Sequence, residues 1–296
     1  MSNALYCHAW GALAAAAGRS STQSAAQEVL LLPVMYGLAA VGVCTLAVWG
    51  FFRLLHVAKL TLANTPGRPN KIGPVHVVVV LLGWVIAQLI AGAALKYFFA
   101  TESSQFLVLF SMALEAAILG GALAVAAIGF RHGLIHGLGL TMRHWLYDTA
   151  RAVVGYLAIL PVTLLLQFMF QWAAPPGRED HEMLKALREL RGLWRVLAVF
   201  VAAVLAPVAE EVLFRGLIQS MLRRYIRLPW IGILVTATLF ALAHYPYWHT
   251  MPALFALAVA LGYNYERCGR LYAPILLHAF FNAVNIVIYM SLPMNR

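Results

Sequence analysis

Apolar stretches of about twenty residues recur from one end of this chain to the other, and no soluble fold accommodates that pattern easily. A helix needs about 20 apolar residues to cross the ~30 Å hydrocarbon core of a bilayer. Stretches of that kind lie at roughly 29–52, 75–99, 106–128, 149–173, 195–221, 230–247, 250–266 and 272–292. A soluble protein with a greasy core would need polar faces that these segments lack. The composition agrees: of 296 residues, 62% are hydrophobic and 11% charged, where soluble domains carry about a quarter charged. The expected fold is all-α, a polytopic transmembrane bundle of about eight spans.

Charge is distributed between the spans rather than on them. The net charge of +10 comes from short basic clusters: Arg53, Lys59, Arg68 and Lys71; Arg131, Arg143 and Arg151; Arg223, Arg224 and Arg227; Arg267 and Arg270. They follow the odd-numbered spans, a pattern that sets topology and meets anionic head groups. The basic loops are expected in the cytoplasm and both termini outside. No basic stripe is interleaved with aromatics, so nucleic acid is not an expected partner. Cys7, Cys44 and Cys268 are far apart and outline neither a disulfide framework nor a thiolate metal site. The alanine run Ala12–Ala17 lacks a basic flank and makes a poor signal peptide. Pro66, Gly67, Pro69, Gly73 and Pro74 mark a loop after span one. Residues 178–193 carry alternating charges with Leu184, Leu187, Leu190 and Leu193 at near-helical spacing. They are expected to form an amphipathic helix lying on the membrane.

The last third of the chain breaks the apolar rule. An ionised side chain at a span centre costs on the order of 3 kcal/mol by insertion scales, yet span five holds Glu210, Glu211 and Arg215. Glu211 and Arg215 are four residues apart, on one face, and can pair. Glu210 points about 100° away and is left to face something else. Span six ends on Phe240 and His244, again one turn apart, so the ring can pack beneath the imidazole. Span eight presents His278 and Asn282 at the same spacing, extended by Asn285. Each of these features alone is satisfied by a charge cluster or a polar seam between helices. His132 and His136 also stand four apart, but beside Arg131 and several glycines in a loop, where solvation or head-group contact accounts for them.

The ordered set Glu210-Glu211-x-x-x-Arg215-Gly216, Phe240-x-x-x-His244 and His278-x-x-x-Asn282 resembles the CAAX protease and bacteriocin-processing (CPBP, or Abi) family of intramembrane endopeptidases. Gly269, Leu271, Pro274 and Ile275 fit the same pattern, and the resemblance covers about residues 195–290. It divides the chain into variable N-terminal spans over 1–194 and a peptidase core over 195–292. It implies a membrane hydrolase acting on membrane-associated or prenylated-type proteins or peptides. It further implies that Glu210 and His244 activate water, Arg215 holds Glu211, His278 and Asn282 polarise the scissile carbonyl, and Phe240 supports His244. The chemistry fits, since amide hydrolysis needs a positioned base and donors aimed at the developing oxyanion. The expected setting is the plasma membrane of a prokaryote, with no cofactor.

Two alternatives remain open at this level. The same residues could form a zinc metalloprotease, with Glu210, His244 and His278 as ligands and one position left for water. The chain lacks His-Glu-x-x-His, however, for His181-Glu182 runs on into Met183-Leu184-Lys185. A transporter or non-catalytic membrane scaffold also places carboxylates and histidines at mid-membrane. Transporters usually show repeated halves, whereas these polar residues are confined to one half.

Overall fold

The computed structural model describes residues 22–54, 62, 65, 68–98, 103–172, 182–226, 228–245 and 247–291. Cys7, the Ala12–Ala17 run, Lys59, Pro66, Gly67, Arg227 and the residues from Arg178 to His181 lie outside them. The described chain is helical apart from a single antiparallel bridge between Asn70 and Phe130. The eight apolar stretches fall on α1 (Thr22–Leu54), α2 (Pro74–Phe98), α3 (Ser104–Gly129), α5 (Trp145–Trp172), α7 (Gly192–Tyr225), α8 (Pro229–Leu242), α9 (Met251–Cys268) and α10 (Tyr272–Ser291). Short helices α4 (Gly133–Leu138) and α6 (Glu182–Glu189) lie between them.

Local chemistry sets the boundaries. Pro74 opens α2, and Pro229 sits in the first turn of α8, where a missing N–H costs nothing. The Ser103 hydroxyl accepts from the Phe106 N–H at the start of α3. Gly269 ends α9 at φ +68°, with its N–H on the Tyr265 carbonyl. Among the described residues five helices are long and apolar enough to cross a membrane: Pro74–Ala94, Ser104–Gly129, Gly133–Phe170, Gly192–Tyr225 and Tyr272–Ser291. Helix α8 has 14 residues and rises only about 21 Å, short of the ~30 Å core.

The loops that follow α1, α3, α7 and α9 gather at one end of the bundle. The Lys71 N–H meets the Gly129 carbonyl, and the Leu271 N–H meets Leu138. The Asn70 amide reaches the Ser220 carbonyl, and Arg224 reaches Ile72. Their positive charge is countered from inside. Arg68 and Arg223 flank the fully buried Glu266, while Arg270 clamps the buried Asp148 with Nε–Oδ2 at 2.7 Å. Gly139, at φ +66°, lies so close to this layer that a Cβ would fall 2.2 Å from the Gly269 carbonyl. At the other side of α5, Pro161 has no N–H for the Leu157 carbonyl, and Gly42 of α1 packs against that oxygen.

The leucine-striped segment before α7 differs from expectation. Leu184, Leu187 and Leu190 of and just after α6 are buried in the protein, among Val108 of α3, Ala198 and Ala202 of α7 and Tyr289 of α10. Arg188 donates to the Tyr289 carbonyl at 2.8 Å and lies over its ring. The apolar stripe therefore meets protein, not lipid. Its periodicity reports an apolar neighbour and is silent on which kind. Leu193 alone of the four is exposed.

Candidate active site

Helix α7 is not a regular α-helix. Two π-helical stretches, Val201–Leu205 and Val212–Gln219, flank the α-helical turn Ala206–Glu211. In the first stretch the Ala206 N–H bonds the Val201 carbonyl, five residues back. The next carbonyl in that register, Ala202, would accept from residue 207, which is Pro207 and has no N–H. Asn282 of α10 supplies the missing donor, its Nδ2 lying 2.9 Å from the Ala202 oxygen. A wider turn, a proline and a side chain from a neighbouring helix thus fix the register just before the two glutamates. Such π-bulges concentrate at functional positions.

Glu211 and Arg215 pair as their spacing predicts. Arg215 Nη1 lies 2.7 Å from Glu211 Oε1, and both side chains are fully buried. Arg215 Nη2 also donates to the Ala258 carbonyl of α9 at 3.0 Å. The same Glu211 oxygen is 3.0 Å from His278 Nδ1. A carboxylate only accepts, so this nitrogen carries the hydrogen. On the other edge of the ring, Nε2 is 3.7 Å from Glu210 Oε2. His278 therefore stands between the adjacent glutamates, anchored by one and facing the other.

His244, at the end of α8, is held in a similar way. Its Nδ1 is 2.8 Å from the Phe240 carbonyl, which can only accept, so the neutral ring leaves a lone pair on Nε2. Phe240 is fully buried and packs against four partners at once. Its ring centroid is 4.9 Å from His244, 5.6 Å from His278 and 5.2 Å from Phe214, and the Arg215 guanidinium lies 5.0 Å away. The expected support for His244 thus extends to His278 and Arg215.

These helices enclose a cavity of about 130 Å³ lined by Glu210, His244, His278 and Asn282, together with Ser111 and Glu115. Glu210 Oε2 is buried there without a hydrogen-bond partner. Four of the expected site residues converge on this space; Glu211 and Arg215 stand behind it, with Phe240 as packing. Asn285 does not reach it and is buried with its Oδ1 unpartnered. His132 and His136 are exposed at α4, away from the cavity. The sequence reading passed over Glu115, an acid in the middle of span three. The insertion cost that marked Glu210 applies to it equally.

Among the described residues no three His, Cys, Asp or Glu side chains are placed to hold a metal ion. His278 directs Nδ1 to Glu211, and its Nε2 stands 3.7 Å from Glu210.

Comparison with known proteins points to one family. Residues 192–284 match the Rce1-like family of type II CAAX prenyl endopeptidases. A 24.3 kDa protein of Escherichia coli, itself described as uncharacterized, is 37% identical over 86 residues. That alignment takes in 28% of this chain and 40% of the relative. No solved structure matches the chain. The matched stretch contains both glutamates, Arg215, both histidines and Asn282, and it nearly coincides with the 195–290 resemblance read from the sequence. Residues 192–284 thus carry a match to the CAAX protease family within a multi-pass integral membrane protein.

Proposed function

We propose that the chain is an intramembrane endopeptidase that hydrolyses membrane-embedded or membrane-associated substrates, of which prenylated CAAX-type chains are the class suggested by the matched family. The observation that carries this reading is the unpartnered Glu210 carboxyl oxygen facing a small cavity shared with two histidines of fixed orientation. Water enters the cavity beside Glu210 and the His244 ring. As its oxygen bonds the scissile carbonyl carbon, its proton passes to Glu210. In its protonated form His278 has a carboxylate facing each nitrogen and donates from Nε2 to the oxyanion. Asn282 has a second amide N–H beyond the one that Ala202 takes, and adds it. Collapse breaks the C–N bond while Glu210 returns the proton to the leaving amine. Glu211 and Arg215 orient His278 and stay out of the proton path.

The mechanism proposed here is metal-free. The setting is the plasma membrane of a prokaryote, in keeping with the bacterial relative. The test compares membrane-peptide profiles of cells carrying the native protein or Glu210→Gln. New termini present only with the native protein are expected. Identical profiles, with the variant present at equal level, would overturn the reading.

A further inference from the structure

Helix α3 lies outside the segment that matches the peptidase family, which begins at residue 192. It nonetheless sends Ser111 and Glu115, one turn apart on one face, into the cavity that holds Glu210. Glu115 Oε2 is buried and has no hydrogen-bond partner. Glu210 Oε2 is in the same condition at the same cavity. A carboxyl group in a span is expensive to insert, and a buried acceptor without a donor adds to that cost. Among the described residues no arginine, lysine or backbone N–H pairs with Glu115 Oε2. A water molecule between them would satisfy both oxygens.

We infer that Glu115 is a third carboxyl of the hydrolytic site and that it holds the attacking water jointly with Glu210. This rests on the peptidase reading and adds a residue to it. A water bound by one acceptor swings about that bond. When both hydrogens are taken, one by Glu210 and one by Glu115, a lone pair is fixed for the carbonyl carbon. The cavity, at about 130 Å³, has room for such a water and the 2–4 polar partners it needs. During attack the hydrogen on Glu210 transfers and the one on Glu115 does not. Glu115 therefore sets the geometry of the step without entering its proton balance. Ser111, one turn away, completes the polar wall on the α3 side.

The test uses the full-length protein in liposomes with an internally quenched farnesylated CAAX-type peptide. Glu115→Leu fills similar space, suits a lipid-embedded helix and removes both acceptors. It should lower kcat about 100-fold, the cost of misplacing a reacting group by about 1 Å. KM should stay within about twofold, because ground-state binding is untouched. Glu115→Gln keeps one acceptor oxygen and should recover part of the lost rate. Wild-type kcat in Glu115→Leu, with Glu210→Gln inactive, overturns the inference and leaves the peptidase reading in place. Wild-type turnover in Glu210→Gln overturns the peptidase reading itself. Infrared difference spectra supply an arm that needs no turnover. The Glu115 carboxyl band, isolated by subtracting Glu115→Gln, should shift in a Glu210→Gln background if one water joins them. A band that does not move overturns the shared water.

Discussion

The helices before residue 192 and the helices after it treat burial in opposite ways. Within Pro74–Ala94 and Ser104–Gly129 only 11% and 17% of the apolar window is buried inside the protein; within Gly192–Tyr225 and Tyr272–Ser291 the shares are 56% and 50%. The first group directs side chains such as Leu89 and Ile90 outward, where lipid tails are as good a partner as protein. The second carries the glutamates, the arginine and the histidines, and is enclosed by other helices. Apolar sequence and interior position are thus separate properties in this molecule. Outward-facing helices shield charged ones from lipid. Glu115 crosses that division, placing an acid from the outer group in the cavity of the inner one.

That contrast predicts unequal costs for comparable substitutions. Arg215→Met strands the Glu211 carboxylate at zero exposure and should destabilise the fold by about 3–5 kcal/mol. Folded fraction in detergent measures it, and Glu211→Gln added to Arg215→Met should recover part of the loss. Additive losses in the double variant would break the pairing. Leu217 is fully buried in α7, so Leu217→Ala should cost about 2 kcal/mol or more, chiefly in packing. Asn282→Ala leaves the Ala202 carbonyl without the donor that Pro207 cannot supply. Its expected cost is about 1–3 kcal/mol, accompanied by a large drop in turnover. Leu89, on α2, is 67% exposed, and Leu89→Ala should change stability by no more than about 0.5 kcal/mol. If thermal unfolding finds Leu89→Ala as costly as Leu217→Ala, the division into outer and inner helices is wrong.

Much of this arrangement can be read in the sequence, where the information is local. The apolar runs locate the helices, because lipid demands length and the prolines and glycines set their ends. The four-residue step from Glu211 to Arg215 gives their pairing, and the same step gives Phe240 beneath His244. The alternation of basic loops anticipates that these loops share one end. What escapes is long-range. The contact of His278 with Glu211 joins residues 67 positions apart, and no periodicity reports it. The first π-helical turn is matched to Pro207 and to an amide on another helix, so α7 alone does not foretell it. The leucine stripe of α6 is visible, but a stripe does not say whether lipid or Tyr289 will cover it. Glu115 is a single letter in an apolar run and acquires meaning only when α3 is set against α7.

The most direct test of the account is hydrolysis by purified protein in liposomes, native against Glu210→Gln, at matched folded fraction and after dialysis against a strong chelator. The glutamine keeps the shape of the side chain and cannot accept the proton of water. The native protein is expected to cleave a farnesylated CAAX-type peptide after metal removal as fast as before it, while Glu210→Gln yields no product. Cleavage by Glu210→Gln at the native rate would contradict the account, because the buried carboxyl around which the cavity is built would then play no part in the chemistry.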